Sequence, residues 1–330
     1  MSGATATDRR VLLGPVPPRI RGHVAVLKGG LSAERPVSLR SGAAVAEALI
    51  GEGYRVTEVD VGRDIAERLR QLAPDVCFNA LHGRFGEDGA MQGILEMLAI
   101  PYTHSGVLAS ALAMHKERAK AVMALAGVPV AEARVLTRGE AAGAHALPPP
   151  YVVKPVAEGS SVGVVIVGPG AKTPPDAILG GGEPTDLLMV ERYVAGRELT
   201  CAVIGDVASD VIEIVPKPGL AFYDFEAKYA PGGSRHQLPA GISPDVYQKV
   251  RKYTLLAHQA LGCRGVSRAD FRFDDTPGGT GELICLEVNT QPGMTGTSLV
   301  PELAVYAGWS FGQLVRWIVE DASCARSDVR

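Results

Sequence analysis

The chain's densest set of chemically useful side chains lies between Gly265 and Pro301, in the run GVSRADFRFDDTPGGTGELICLEVNTQPGMTGTSLVP. Two stretches of alternating character flank the turn-rich DDTPGGTG, which predicts an antiparallel hairpin. Residues two apart in a strand share a face. Arg268 and Asp270 therefore share one face, and Ala269, Phe271 and Phe273 the other. On the return strand Glu287 and Asn289 share a face, opposite Ile284, Leu286 and Val288. If the polar faces coincide, a cation, two carboxylates and an amide converge over an apolar floor. Such a set suits Mg²⁺, which takes a few oxygen ligands and leaves room for water and phosphate. The arginine would neutralise charge on a transferring phosphoryl group. A surface hairpin with solvated charges would alternate in the same way. The sequel favours the site: Asn289 to Thr295, NTQPGMT, is a Gly/Pro turn with exposed backbone amides directly after the ligand strand.

Those side chains need a scaffold, and the preceding chain reads as alternating strands and helices, which predicts a parallel sheet covered on both faces. HVAVLK is a short apolar strand, followed by Gly29-Gly30 and LSAERPVS. A helix comes next, with Leu39, Ala43, Ala46, Leu49 and Ile50 on its apolar side. Strand, glycine turn and helix N-terminus is a layout that holds anions, although a bare Gly-Gly can be only a turn. Glu34 breaks the pattern, because a carboxylate repels an anion and suits an ammonium group. Residues 54–59 read as a strand, 65–72 as a helix and 76–79 as a strand ending in ALHG. A helix is expected from Arg84 to about Ala99. Ligand loops lie at the carboxyl ends of such strands, where residues 29–34 and 82–88 both fall. That place makes His82 a candidate ligand contact as well as a candidate structural histidine.

Residues 107–127 read as two helices broken near Ala113 to Lys116, and residues 138–150, ending in PPP, as a loop or linker. The strand 151–155 carries Lys154 and leads through Glu158-Gly159-Ser160-Ser161-Val162-Gly163 to a second run, 164–167. Backbone amides of such a loop can close over phosphates, or the loop can be an ordinary hairpin tip. Strands are expected at 186–190 and 198–204. Glu191 and Glu198, seven apart around Gly196, could hold an adenine amine and ribose hydroxyls or face solvent. The aromatic loop FYDFEAKYAPGG, residues 222–233, has the character of a lid. Ser243-Pro244 starts a helix that buries Val246, Val250, Leu256 and Ala260 and ends at Gly262.

At 330 residues the chain is long enough for two or three domains. A formal net charge of −3 and 5% aromatics argue against a nucleic-acid binder. Cysteines at 77, 201, 263, 285 and 324 form no CxxC and suit a reducing cytoplasm. No apolar run is long enough to span a membrane. Residues 1–21 lack an apolar signal core and read as a loose tail.

Taken together, the segments GGLSAER, HGRFGEDG, VVKPVAEGSSVG, VERYVAGRELT, FYDFEAKY, SRADFRF, LEVNTQPGMT and TSLVPELA occur in one order along the chain. In that order the chain resembles the D-alanine–D-alanine ligases of the ATP-grasp superfamily, from about His23 to the C-terminal helix. The resemblance implies an α/β fold, α+β in its ATP-grasp part. An N-terminal parallel-sheet domain is followed by an ATP-grasp fold of two sheet-containing subdomains. The expected divisions are a tail 1–21, an N-terminal substrate domain 22–113, a central subdomain 114–205 and a C-terminal subdomain 206–330.

By position, the resemblance implies that Lys116 and Lys154 contact ATP phosphate and the adenine pocket. Glu191 would meet the adenine amine and Glu198 the ribose, with Glu158, Ser160, Ser161, Val194 and Lys228 completing the nucleotide site. Asp270, Glu287 and Asn289 match ligands of two Mg²⁺ (or Mn²⁺) ions, with Glu287 bridging them. Arg268 and the amide of Gly293 match groups that stabilise a tetrahedral oxyanion. Glu34 matches the carboxylate on the first substrate's ammonium, with His82 beside it, and Ser160 and Tyr229 link that carboxylate to the lid. Ser298 and Lys228 match the grip on substrate carboxylate and phosphate.

The implied partners are D-alanine and ATP, with no nucleic acid or membrane, in a cytoplasmic homodimer. Pro36 stands where the family commonly has glutamate, and Lys28 where an apolar residue is usual. The residues themselves name no base for the second amine. Another ATP-grasp carboxylate–amine ligase would share Lys154 and the metal set but lack Glu34, Ser160 and Tyr229. A depsipeptide-forming ligase would replace Tyr229, and a non-catalytic nucleotide sensor would lose the metal carboxylates.

Overall fold

The computed structural model of the protein describes residues 11, 13–159, 163–216 and 234–324. Strand β1 (His23–Lys28) lies in the middle of a three-stranded parallel sheet, between β2 (Arg55–Asp60) and β3 (Val76–Asn79). Its residues Val24 to Leu27 are wholly buried because both faces are covered. Val24 and Val26 pack under helices α1 (Arg35–Gly51) and α9 (Phe311–Glu320). Ala25 and Leu27 pack under α2 (Ile65–Leu72) and α3 (Ala90–Met97). A continuous apolar run is what a strand buried on both sides requires.

Helix α1 buries Ala46 and Leu49 as its apolar residues suggest, but the rest of its buried face differs. Val37, Ser38, Ser41, Gly42, Val45, Ala46 and Leu49 face inward, while Ala43 and Ile50 are exposed. Small residues mark this face because the helix lies very close to β1. A Cβ on Gly42 would come within 2.5 Å of the Lys28 Cβ. Lys28 itself ends the strand in an ion pair with Glu58, and Pro36 sits in the first turn of α1, where no backbone donor is needed. Helix α3 starts at Ala90 rather than Arg84. Left-handed backbone at Gly83, Phe85 and Gly89 keeps the intervening residues in turns.

Helices α4 (Val107–Met114) and α5 (Lys116–Leu125) lead to a four-stranded sheet of order β4-β7-β5-β6. Its strands are β4 (Ala133–Thr137), β5 (Tyr151–Pro155), β6 (Val165–Val167) and β7 (Leu187–Arg192). The expected linker 138–150 instead contains helix α6 (Arg138–Gly143). Thr137 and Glu140 form a complete capping box there, a signal present in the sequence as T-x-x-E.

The larger antiparallel sheet has five strands, ordered β10-β9-β8-β11-β12. These are β8 (Arg197–Ile204), β9 (Val207–Pro216), β10 (Ser234–Gln237), β11 (Val266–Phe273) and β12 (Leu283–Asn289). Strand β8, which ends just before the division expected at 205/206, pairs with β9 and β11 in this sheet. Helices α5 and α7 (Pro244–Ala260) cover one face. Helix α7 buries Val250, Thr254, Ala257 and His258, whereas Val246, Leu256 and Ala260 are half-buried. The other face meets α8 (Leu299–Tyr306), α9 and the N-terminal sheet in one shared core.

From Val11 the N-terminal tail is docked rather than loose. Leu13 and Val16 pack on that shared core, Ile20 and Arg21 donate their amides to Glu320, and the Val11 amide reaches Asp210 at 2.9 Å. All five cysteines are free thiols. Among the described residues no helix is long and apolar enough to cross a membrane.

Candidate active site

The hairpin β11–β12 forms as expected, and the two polar faces coincide. Arg268 lies opposite Asn289, and Asp270 opposite Glu287. A register shift follows between Asp270 and Phe271, so the alternation of β12 changes phase. Leu283, Cys285 and Val288 face the core under α5 and α7, Ile284 packs with Ala131 and Val194, and Leu286 is half-buried. The expected common face of Ile284, Leu286 and Val288 is therefore split by the bulge.

On the polar face the buried Asp270 carboxylate accepts four hydrogen bonds. Arg268 donates to both oxygens at 2.9 and 2.6 Å, Thr200 Oγ1 to one at 2.7 Å, and Asn289 Nδ2 to the other at 3.2 Å. A carboxylate has about four acceptor sites, so a cation on Asp270 would compete with Arg268 or Asn289. Thr200 has no counterpart in the sequence reading. It reaches Asp270 because β8 and β11 pair with these two residues opposite each other.

Glu34 stands at the N-terminus of α1 and is almost fully buried. A Cβ on Gly83 would lie 2.7 Å from its Oε1, and one on Gly159 2.6 Å from the same atom. The carboxylate is thus wedged between a loop of the N-terminal sheet and the loop after β5. Gly159→Ala should move Glu34 without straining the backbone. We expect about a tenfold rise in KM for the first amino-acid substrate, worth about 1.4 kcal/mol, with nucleotide KM nearly unchanged. Steady-state kinetics with each substrate varied in turn checks this.

His82 is buried, with Nδ1 2.9 Å from Glu87 Oε1 and Nε2 3.3 Å from Ser41 Oγ. Asn79 and Gln92 hold its loop by donating to the Gly86 carbonyl at 3.1 and 2.9 Å. Across the cleft, Gln291 donates to the Leu81 carbonyl and ties the turn after β12 to the same loop. Ser298 is the N-cap position of α8. Its Oγ accepts from the Thr295 amide at 2.9 Å and lies 2.8 Å from Thr295 Oγ1. Glu34, His82, Glu198, Arg268, Asp270, Glu287, Asn289, Gly293 and Ser298 all line one cleft. Residues distant in sequence converge there.

The lysines gather beside that cleft. Lys116 is buried; its Nζ donates to the Glu158 carbonyl and lies 3.5 Å from Glu287 Oε2. Glu191 is buried between two ammonium groups, Lys154 at 2.6 Å and Lys120. Burial pushes the Glu191 carboxyl up, but Lys154 and Lys120 together hold it below its ordinary value. Lys120 was not among the expected site residues, since a lysine inside an amphipathic helix ordinarily reads as surface.

Glu198 lies 3.7 Å from Arg272, which also donates to the carbonyls of Val194 and Gly196 at 3.0 and 2.9 Å. Gly196 is required here: its φ is +85°, and a Cβ would sit 2.1 Å from the Phe273 carbonyl oxygen. Ser160, Ser161, Lys228 and Tyr229 lie outside the described residues.

Two carboxylates and an amide on one cleft wall suit Mg²⁺, which is commonly held by one or two carboxylates and completed by phosphate and water. Among the described residues no group of three or more His, Cys, Asp or Glu forms an all-protein cage.

The family model for the D-ala D-ala ligase C-terminus matches residues 122–320, and the one for the D-ala D-ala ligase N-terminus matches residues 60–105. A D-alanine–D-alanine ligase of Methylobacterium radiotolerans is 67% identical over 92% of this chain and 99% of its own length. One from Rhizobium meliloti is 64% identical over the same shares. The crystal structure of the Bacillus anthracis D-alanine–D-alanine ligase complexed with ATP superposes with a TM-score of 0.75. It is 28% identical and covers 91% of this chain and 97% of that one. On both domain matches and the near-full-length relatives, the chain belongs to the D-alanine–D-alanine ligase family.

Proposed function

We propose that the chain joins two D-alanine molecules to D-alanyl-D-alanine at the expense of ATP, releasing ADP and phosphate, for peptidoglycan precursor synthesis. The observation that carries this reading is the placing of Glu34 in the same cleft as Asp270 and Glu287. A nucleotide site alone has no use for an ammonium-binding carboxylate facing its metal carboxylates.

A carboxylate oxygen of the first D-alanine attacks the γ-phosphorus, ADP leaves, and D-alanyl phosphate forms. The amine of the second D-alanine then attacks the acyl carbon, and phosphate departs as the C–O bond breaks and the amine loses a proton. Glu34, with His82 beside it, holds the first ammonium. Lys116 and Lys154 offset phosphate charge, and Glu191 and Glu198 hold the nucleoside, with Glu158, Ser161 and Val194 around it. Arg268 and the Gly293 amide face the oxyanion of the tetrahedral intermediate. Ser298 and Lys228 hold carboxylate and phosphate. Two Mg²⁺ (or Mn²⁺) ions would be held by Asp270, Glu287 and Asn289, neutralising the triphosphate as two anions meet. Acyl phosphates hydrolyse readily, so Ser160 and Tyr229 serve to close loops over the site and exclude water.

The reading includes a cytoplasmic homodimer and three units: an N-terminal substrate domain, a central subdomain and a C-terminal subdomain. D-alanine carrying ¹⁸O in its carboxylate tests the intermediate. One labelled oxygen should appear in each released phosphate; unlabelled phosphate would exclude acyl-phosphate formation.

A further inference from the structure

Glu191, Lys154 and Lys120 form a buried trio of one carboxylate and two ammonium groups, drawn from three separate elements. Lys154 comes from β5, Glu191 from β7 and Lys120 from α5. The two strands pair within the four-stranded sheet, whereas α5 packs on the five-stranded sheet. The Lys120 pair therefore crosses from one sheet unit to the other. One lysine would suffice to balance Glu191, so the second needs a reason.

The reason lies in the two jobs asked of Lys154. In the reading above, on which this inference rests, Lys154 serves the triphosphate while Glu191 receives the adenine amine. A lysine that leaves Glu191 for phosphate would strand a buried carboxylate, and an uncompensated buried charge is strongly destabilising. Lys120 is buried with Glu191 as its ion-pair partner, on a helix whose Ala119 and Met123 are locked in the core. We infer that Lys120 is a positioning residue for nucleobase recognition: it stays on Glu191 while Lys154 turns to phosphate, and it aims the carboxylate at an exocyclic purine amine. Burial lowers the Lys120 pKa and Glu191 opposes that shift, as expected for an ammonium whose charge depends on this partner.

The test compares ADP with inosine diphosphate, which carries an oxo group where ADP carries the amine. Dissociation constants are measured by calorimetry for the full chain and for Lys120→Met, Glu191→Gln and the double variant. Melting temperature and the KM and kcat for ATP are measured in parallel. Lys120→Met should lower the preference for ADP by about tenfold, with kcat at saturating ATP within about threefold. Glu191→Gln should lower the preference at least as far, and the double variant no further. If Glu191→Gln loses the preference while Lys120→Met keeps it, Lys120 is packing only and the inference is overturned. If Glu191→Gln keeps it, the assignment of Glu191 itself has failed, and the inference with it. Should Lys120→Met not fold, Lys120→Leu, which likewise lacks a donor, is measured under the same criteria.

Discussion

Glu287→Gln is expected to lower ligation by about 10³-fold, about 4 kcal/mol of transition-state stabilisation, while the protein remains folded. The substitution keeps shape and removes the charge that would balance metal ions beside a triphosphate. Glu287 is half-buried, and its ion pair with Lys116 is long, at 3.5 Å. Asp270→Asn should be at least as damaging to turnover. It should also cost stability, since Asp270 anchors Arg268, Thr200 and Asn289 in a buried network. The measurement is kcat against Mg²⁺ concentration, with near-ultraviolet circular dichroism as the control for folding. Near-normal turnover in folded Glu287→Gln would remove the metal assignment.

Glu34→Gln should raise KM for the first D-alanine by about 10- to 100-fold, in line with about 1.5–3 kcal/mol for a charge-assisted hydrogen bond. ATP binding should stay within about threefold of wild type. Gly83 and Gly159 press on the carboxylate from two sides, so the glutamine amide has little freedom to find another contact. Direct titration of each substrate separates the effects. If ATP affinity falls as far as D-alanine affinity, Glu34 belongs to the nucleotide side of the cleft.

Much of the site could be read in advance because it rests on local rules. The alternation in SRADF and LEVN put Arg268, Asp270, Glu287 and Asn289 on one face, and the strand pairing joins them as that pattern requires. Strands β1 and β3 are likewise legible, since they are short, largely apolar runs that lead into glycine-containing turns. What escaped the sequence depends on distant packing. Helix α1 turns its Ser38, Ser41 and Gly42 inward because β1 lies so close, which composition cannot reveal. The bulge in β12 follows from pairing geometry and leaves no mark in the alternation. Lys120 reads as a surface lysine until β7 brings Glu191 to it, 71 positions along the chain. The Thr137–Glu140 capping box, by contrast, is a local signal, ahead of the PPP at 148–150.

The central claim is that this cleft makes a peptide bond between two D-alanines. Its most direct test is the product balance of the purified protein with ATP and Mg²⁺, supplied with D-alanine, L-alanine or neither. D-alanyl-D-alanine and phosphate should appear in equal amounts with D-alanine, and neither should accumulate in the other two mixtures. Phosphate released at the same rate without D-alanine, or with no dipeptide formed, would contradict the account.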